Sequence, residues 1–122
     1  MGTGAGEGEG EPRHGAPAGI VLVKICGLPD ASSLDAALAA GADMVGLVFF
    51  PPSPRDVSPE TAAPLADRAR GRAGIVALTV DADDALLDRI VRAVRPDWIQ
   101  LHGRESDARL AAVRARSGAR II

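Results

Sequence analysis

Lys24 and Cys26 stand two residues apart at the end of the run Ile20–Cys26, and the same spacing recurs in Thr79 and Asp81 and in Gln100 and His102. In an extended chain alternate side chains share a face, so each pair lies on one side of its segment. Each pair also closes a short apolar run. If those runs are parallel strands, their carboxyl ends meet where the helix-preceding loops converge and ligand sites form. Three polar pairs gathered at that end have the make-up of a catalytic mouth.

A thiol beside an ammonium group is a candidate nucleophile or base, because the positive charge favours the thiolate. Gly27, directly after Cys26, lets the backbone turn tightly and leaves the thiol facing an open site. Both residues also have plainer uses. A lone cysteine in an apolar strand packs as a small hydrophobe, and Lys24, the only lysine of the chain, serves equally well as an interior cation paired with a carboxylate. His102, before Gly103, is either a ligand contact or a hydrogen-bonded strand-end histidine, and Gln100 reads as an interior filler. Asp81 reads first as the cap of the next helix and second as a ligand contact. In Pro51-Pro52-Ser53-Pro54-Arg55 the prolines stiffen the approach to a guanidinium that can grip a carboxylate with two parallel hydrogen bonds, although many loop arginines are only solvated. One cysteine and two histidines, His14 and His102, predict no structural metal site.

The elements that must position these residues are legible as an alternation. Runs rich in β-branched residues cover Ile20–Cys26, Met44–Phe50, Ile75–Val80, Asp97–Leu101 and Ala119–Ile122, and each of the first four is followed by a segment of helical period. The first helix has capping candidates from Asp30 to Ser33, Leu34 and Leu38 on one face, and Gly41 as its stop. The second opens on Ser58-Pro59-Glu60, a cap followed by a proline at the first helical position and an acid at the positive helix end, and runs to about Arg70. The third starts near Asp83 and carries the stripe Leu86, Leu87, Ile90, Val91 and Val94. The fourth spans about Ser106 to Ser117 with Leu110 and Val113 inward and Gly118 beyond its end. Four strand–helix repeats require parallel strands joined by right-handed crossovers, an α/β fold. Strand starts near residues 20, 44, 75, 97 and 119 suit a barrel or an open doubly wound sheet.

Composition narrows the partners. Among 122 residues, 14 basic and 16 acidic side chains are scattered, for a net charge of -2, so no basic face is set aside for nucleic acid. The longest apolar stretches fall short of the roughly 20 residues of a membrane helix, which predicts no membrane partner. A single cysteine cannot form an internal disulfide and the start shows no basic-then-apolar leader, which together predict a reducing, cytoplasmic setting. Residues 1–19 carry Gly at positions 2, 4, 6, 8, 10, 15 and 19 without apolar periodicity and read as a disordered tail; residues 20–122 read as the folded part.

The motifs Lys24-Ile25-Cys26-Gly27-Leu28, Ser53-Pro54-Arg55 with Val57-Ser58, and Gln100-Leu101-His102-Gly103 with Glu105 occur in this order and spacing, joined by Ala40-Gly41-Ala42-Asp43 and Gly46-Leu47-Val48-Phe49. Together they make the chain, from Val21 to Ile122, resemble the phosphoribosylanthranilate isomerases. The resemblance implies a (β/α)8 TIM barrel, of which these residues would form the first four βα units and a fifth strand. It implies an aldose–ketose isomerisation in tryptophan biosynthesis on a small phosphorylated substrate, without a cofactor. Carried over residue by residue, Cys26 would be the general base, Arg55 would contact the anthranilate carboxylate, and His102 would line the pocket; Lys24, Asp81 and Gln100 join them as candidate substrate contacts by their place at the strand ends. Thr79 stands where the family commonly has Phe. A complete barrel takes about 200 residues or more, so the resemblance also implies that the general acid and the phosphate-binding loops lie beyond Ile122. The chain alone would then be inactive, with an open half-barrel suited to self-association or to complementation by another chain. The alternatives are a non-catalytic remnant or another phosphate-binding barrel enzyme such as an indoleglycerol phosphate synthase, whose chemistry calls for lysine and glutamate at strand ends rather than a thiol.

Overall fold

The structure, a computed structural model, describes residues 23–122; the expected tail over 1–19 and the start of the first strand lie outside the described residues. Five strands alternate with four helices: β1 (Lys24–Cys26), α1 (Ala31–Ala39), β2 (Met44–Phe49), α2 (Pro59–Ala69), β3 (Gly74–Thr79), α3 (Asp84–Val94), β4 (Trp98–Leu101), α4 (Asp107–Ser117) and β5 (Arg120–Ile121). Every helix starts on a side chain that accepts a hydrogen bond from the backbone three residues on, satisfying one of the free amides of the first turn. Asp30 caps α1 through Ser33 N at 2.8 Å and Ser58 caps α2 through Thr61 N at 3.0 Å. Asp83 caps α3 through Leu86 N at 2.9 Å, and Ser106 caps α4 through Arg109 N at 3.1 Å. The cap of α3 is therefore Asp83 and not Asp81, because Asp81 adopts the left-handed region at φ 49° and its carboxylate is engaged elsewhere. Gly118 ends α4 at φ 70° as expected, while α1 ends on Ala40, one residue before the expected Gly41.

All strand pairs are parallel and the order in the sheet is β1-β2-β3-β4-β5. A doubly wound sheet reverses direction at a switch point. Here each right-handed crossover advances the same way, so the helices cover one face and the other becomes the inside of a barrel wall. The fold is this portion of a TIM barrel. Val45, Leu47, Phe49, Ile75, Ala77 and Ile99 point from the strands into the helix layer, where they meet Leu34, Leu65, Leu87, Ile90 and Val113 in the core cluster. Alternation places Lys24, Cys26, Gly46, Val48, Val76, Leu78, Trp98, Gln100 and Arg120 on the other, inner face. There Arg120 stacks over the Trp98 ring at 5.0 Å.

The inner face is concave. The Lys24 ammonium donates to Gln100 Oε1, although β1 and β4 are third neighbours and would lie about 14 Å apart in a flat sheet. At the amino ends of the strands two aspartates act alike. Asp43, just before β2, accepts from Val23 N at 2.7 Å, and Asp97, just before β4, accepts from Ile75 N at 2.8 Å. Outside, each neighbouring helix pair is tied by arginine to a carboxylate: Arg68 to Asp35 at 2.6 Å, Arg89 to Glu60 at 2.6 Å, and Arg116 to Asp88 at 2.8 Å. Among the described residues no helix is long and apolar enough to cross a membrane.

Candidate active site

Cys26 ends β1 half-buried on the inner face, directly opposite Gly46 in the register with β2. A Cβ at Gly46 would lie 2.6 Å from Cys26 Sγ and 3.1 Å from its Cα, so the glycine is the space that the thiol occupies. Gly27 then turns the chain at φ 79°, and Gly27 N and Leu28 N both donate to Gly46 O, at 3.0 and 3.3 Å. These two hydrogen bonds to one carbonyl fasten the turn after the thiol to the neighbouring strand.

Arg55 reaches the same place from the loop after β2. Ser53 Oγ accepts from Arg55 N at 3.1 Å, Ser53 N donates to Phe50 O at 2.8 Å, and Val57 N returns the chain to Val48 O at 3.0 Å. The loop is thereby folded back on its own strand, and the arginine side chain lies across Gly27: a Cβ there would be 2.2 Å from Arg55 Cδ. Two glycines thus make room, one for the thiol and one for the arginine side chain that crosses the residue after it. Arg55 is exposed and has no ion-pair partner among the described residues, which leaves its donors open to an anionic ligand.

The sequence-predicted residues of β1, β3 and β4 divide between the two faces. Lys24 and Gln100 are brought together on the inner face; Lys24 is exposed there and not interior as expected, and its partner is an amide and not a carboxylate. His102 follows β4, exposed, with its backbone N donating to Thr79 O at 2.9 Å. Thr79 departs from the expected pairing with Asp81. Its register partners Phe49 and Leu101 face the helix layer, and Thr79 is fully buried there with an unpartnered Oγ1, away from the mouth. Asp81 accepts from Arg104 N at 2.8 Å on the neighbouring loop. Two residues outside the expected set bear on the site: Gly46, signalled by a glycine inside a β-branched run where backbone or ligand approaches closely, and Glu105, which accepts from Asp81 N and Gly103 N, both at 2.9 Å. Among the described residues no three His, Cys, Asp or Glu side chains are grouped to hold a metal ion.

A sequentially ordered parallel sheet with polar side chains gathered at its carboxyl ends is the arrangement of a (β/α) barrel. The family model for N-(5'phosphoribosyl)anthranilate (PRA) isomerase matches residues 23–122. Over 102 residues the chain is 64% identical to the N-(5'-phosphoribosyl)anthranilate isomerase of Afipia carboxidovorans, covering 84% of this chain and 44% of that protein. Over 94 residues it is 67% identical to the Rhodopseudomonas palustris enzyme of the same name, covering 77% and 43%. The phosphoribosyl anthranilate isomerase of Thermotoga maritima superposes with a TM-score of 0.77 at 28% identity, covering 84% of this chain and 49% of that one. A structure of such an isomerase with reduced 1-(o-carboxyphenylamino)-1-deoxyribulose 5-phosphate gives the same score of 0.77, covering 84% and 52%. The chain belongs to the phosphoribosylanthranilate isomerase family. It spans about half the length of these relatives.

Proposed function

We propose that the chain supplies the base and the carboxylate-binding side of a phosphoribosylanthranilate isomerase site, for the Amadori rearrangement of N-(5-phosphoribosyl)anthranilate to 1-(2-carboxyphenylamino)-1-deoxyribulose 5-phosphate in tryptophan biosynthesis. The observation that carries this reading is the Arg55 side chain lying across Gly27, the residue that follows the thiol filling the space over Gly46. A guanidinium there pins the aromatic carboxylate with two parallel bonds. The adjoining ribosyl carbons then fall within reach of Cys26.

In the reaction an acid protonates the ring oxygen, the C1–O bond opens, and the resulting iminium makes the C2 proton removable by a base of modest strength. Cys26 takes that proton. The enolamine then gains a proton at C1 and loses the one on its C2 hydroxyl, giving the ketose. His102 lines the pocket, and Lys24, steadied by Gln100, keeps a positive charge on the same strand face as the thiol. The acid and the phosphate grip come, in this reading, from the part of the family barrel that these residues do not span, so the chain by itself is inactive.

The test mixes the chain with a separately made C-terminal half of the Afipia carboxidovorans relative and follows isomerase turnover. The mixture is expected to turn over and the chain alone is not. Cys26→Ala is expected to cut kcat by about 100- to 10,000-fold, the usual contribution of a general base, and Arg55→Ala to raise KM. Undiminished turnover with Cys26→Ala would overturn the assignment of the base, and full activity of the 122-residue chain alone would overturn its dependence on a second half.

A further inference from the structure

We infer that Asp81 and Glu105 are positioning residues, a reciprocal latch between the β3–α3 and β4–α4 loops that holds His102 at the mouth. The inference rests on the isomerase reading for what His102 does there, and on geometry alone for the latch.

Three consecutive amides of the β4–α4 loop are each held. His102 N donates to Thr79 O at 2.9 Å, Gly103 N to Glu105 Oε1 at 2.9 Å, and Arg104 N to Asp81 Oδ1 at 2.8 Å. The return bond runs from Asp81 N to Glu105 Oε2, at 2.9 Å. Each carboxylate therefore accepts a backbone amide from the other's loop. Hydrogen bonds to ionised acceptors are the strong kind. Arg109 adds a third tie, donating from α4 to Ala82 O at 3.0 Å.

Two local features fit this latch. Asp81 holds a left-handed conformation, φ 49°, that a residue with a side chain adopts at a cost, and in it the amide and the carboxylate both face the neighbouring loop's partners. Gly103 carries no Cβ where one would lie 2.5 Å from Asp81 Oδ1. Neither carboxylate caps a helix, since Asp83 and Ser106 do that. The side chains that flank the imidazole's loop are thus committed to its backbone, and the loop that carries His102 cannot shift without releasing them.

The experiment compares amide hydrogen exchange, residue by residue, in the 122-residue chain and its variants. Asp81→Ala is expected to speed exchange at Arg104 about tenfold or more, and Glu105→Ala to do so at Gly103 and Asp81. Asp81→Asn keeps the Oδ1 acceptor and is expected to retain protection. In the isomerase assay with the added C-terminal half, Asp81→Ala is expected to raise KM several times more than it lowers kcat, and Asp81→Asn to restore KM. Alkylation of Cys26 is expected to proceed at an unchanged rate throughout. Unchanged exchange in both alanine variants would overturn the latch. Loss of substrate affinity in Asp81→Asn equal to that in Asp81→Ala, with protection retained, would show that Asp81 acts on the substrate by its charge and overturn the positioning role. Faster Cys26 alkylation in step with faster exchange would make the pair a general prop of the fold, also against the inference. The exchange results stand apart from turnover, so a failure of the isomerase reading leaves a different signature: protection intact and no activity in any mixture.

Discussion

At the scale of single residues, the space over Gly46 decides where the thiol can be. A methyl group there would press on Cys26 Sγ at 2.6 Å and on Cα and Cβ at 3.1 Å, backbone included, so rotation of the thiol alone gives no relief. Gly46→Ala is expected to cost about 1–3 kcal/mol by overpacking, read from the urea midpoint. It should also lower turnover of the two-half mixture by about a hundredfold, the penalty for misplacing a reacting group by about an ångström. Thr79 offers the opposite case, a fully buried hydroxyl without a partner. Thr79→Val keeps the shape and removes the unsatisfied group, and is expected to raise the unfolding free energy by about 1 kcal/mol. The sequence made the glycine after the thiol legible, because a turn is local. It did not show that Thr79 faces the helices, because the parity of β3 is set by which of its residues pack on the helix layer: Thr79 alternates with Ile75 and Ala77, while Asp81 leaves the strand's alternation at φ 49°.

At the scale of elements, the four helix starts could be read directly, because each cap closes a bond three residues long. The cap role read for Asp81 belongs to Asp83, because two aspartates on either side of Ala82 both suit a cap. Contacts between elements were not legible: Lys24 and Gln100 are separated by 76 residues, and nothing in either local segment names the other. The aspartates before β2 and β4 belong to the same category. Asp43 is 5% exposed and binds Val23 N across two strands' starting points. Asp43→Ala is expected to destabilise the chain by about 1–3 kcal/mol, because Val23 N would lose its acceptor. Its urea midpoint should fall while Cys26, at the far end of the same strands, keeps its alkylation rate.

At the scale of the whole molecule, the outer ring of helices is laced by arginine–carboxylate pairs. The Arg68, Arg89 and Arg116 guanidiniums hydrogen-bond Asp35, Glu60 and Asp88 and hold these carboxyls below their ordinary range. A carboxyl whose folded value is depressed stabilises the fold at pH values above its unfolded value, near 4, and this contribution is lost as pH falls through the folded value. Stability is therefore expected to be flat from neutral pH down to about 5 and to decline below about 4, with a smaller decline in high salt, because exposed pairs are screened. Urea titrations at several pH values check this; an undiminished midpoint at pH 3 would leave the lacing without a stabilising role. That the fold is a barrel wall was half legible, since repeat lengths allowed two α/β architectures. The unreversed strand order decides between them, and order is a property of pairing rather than of any segment.

The brace from Lys24 to Gln100 has a consequence for assembly. Its two ends lie on β1 and β4, so the bowed inner face is spanned without any contact from β5. A strand joining beside β5 therefore meets a sheet that is already curved.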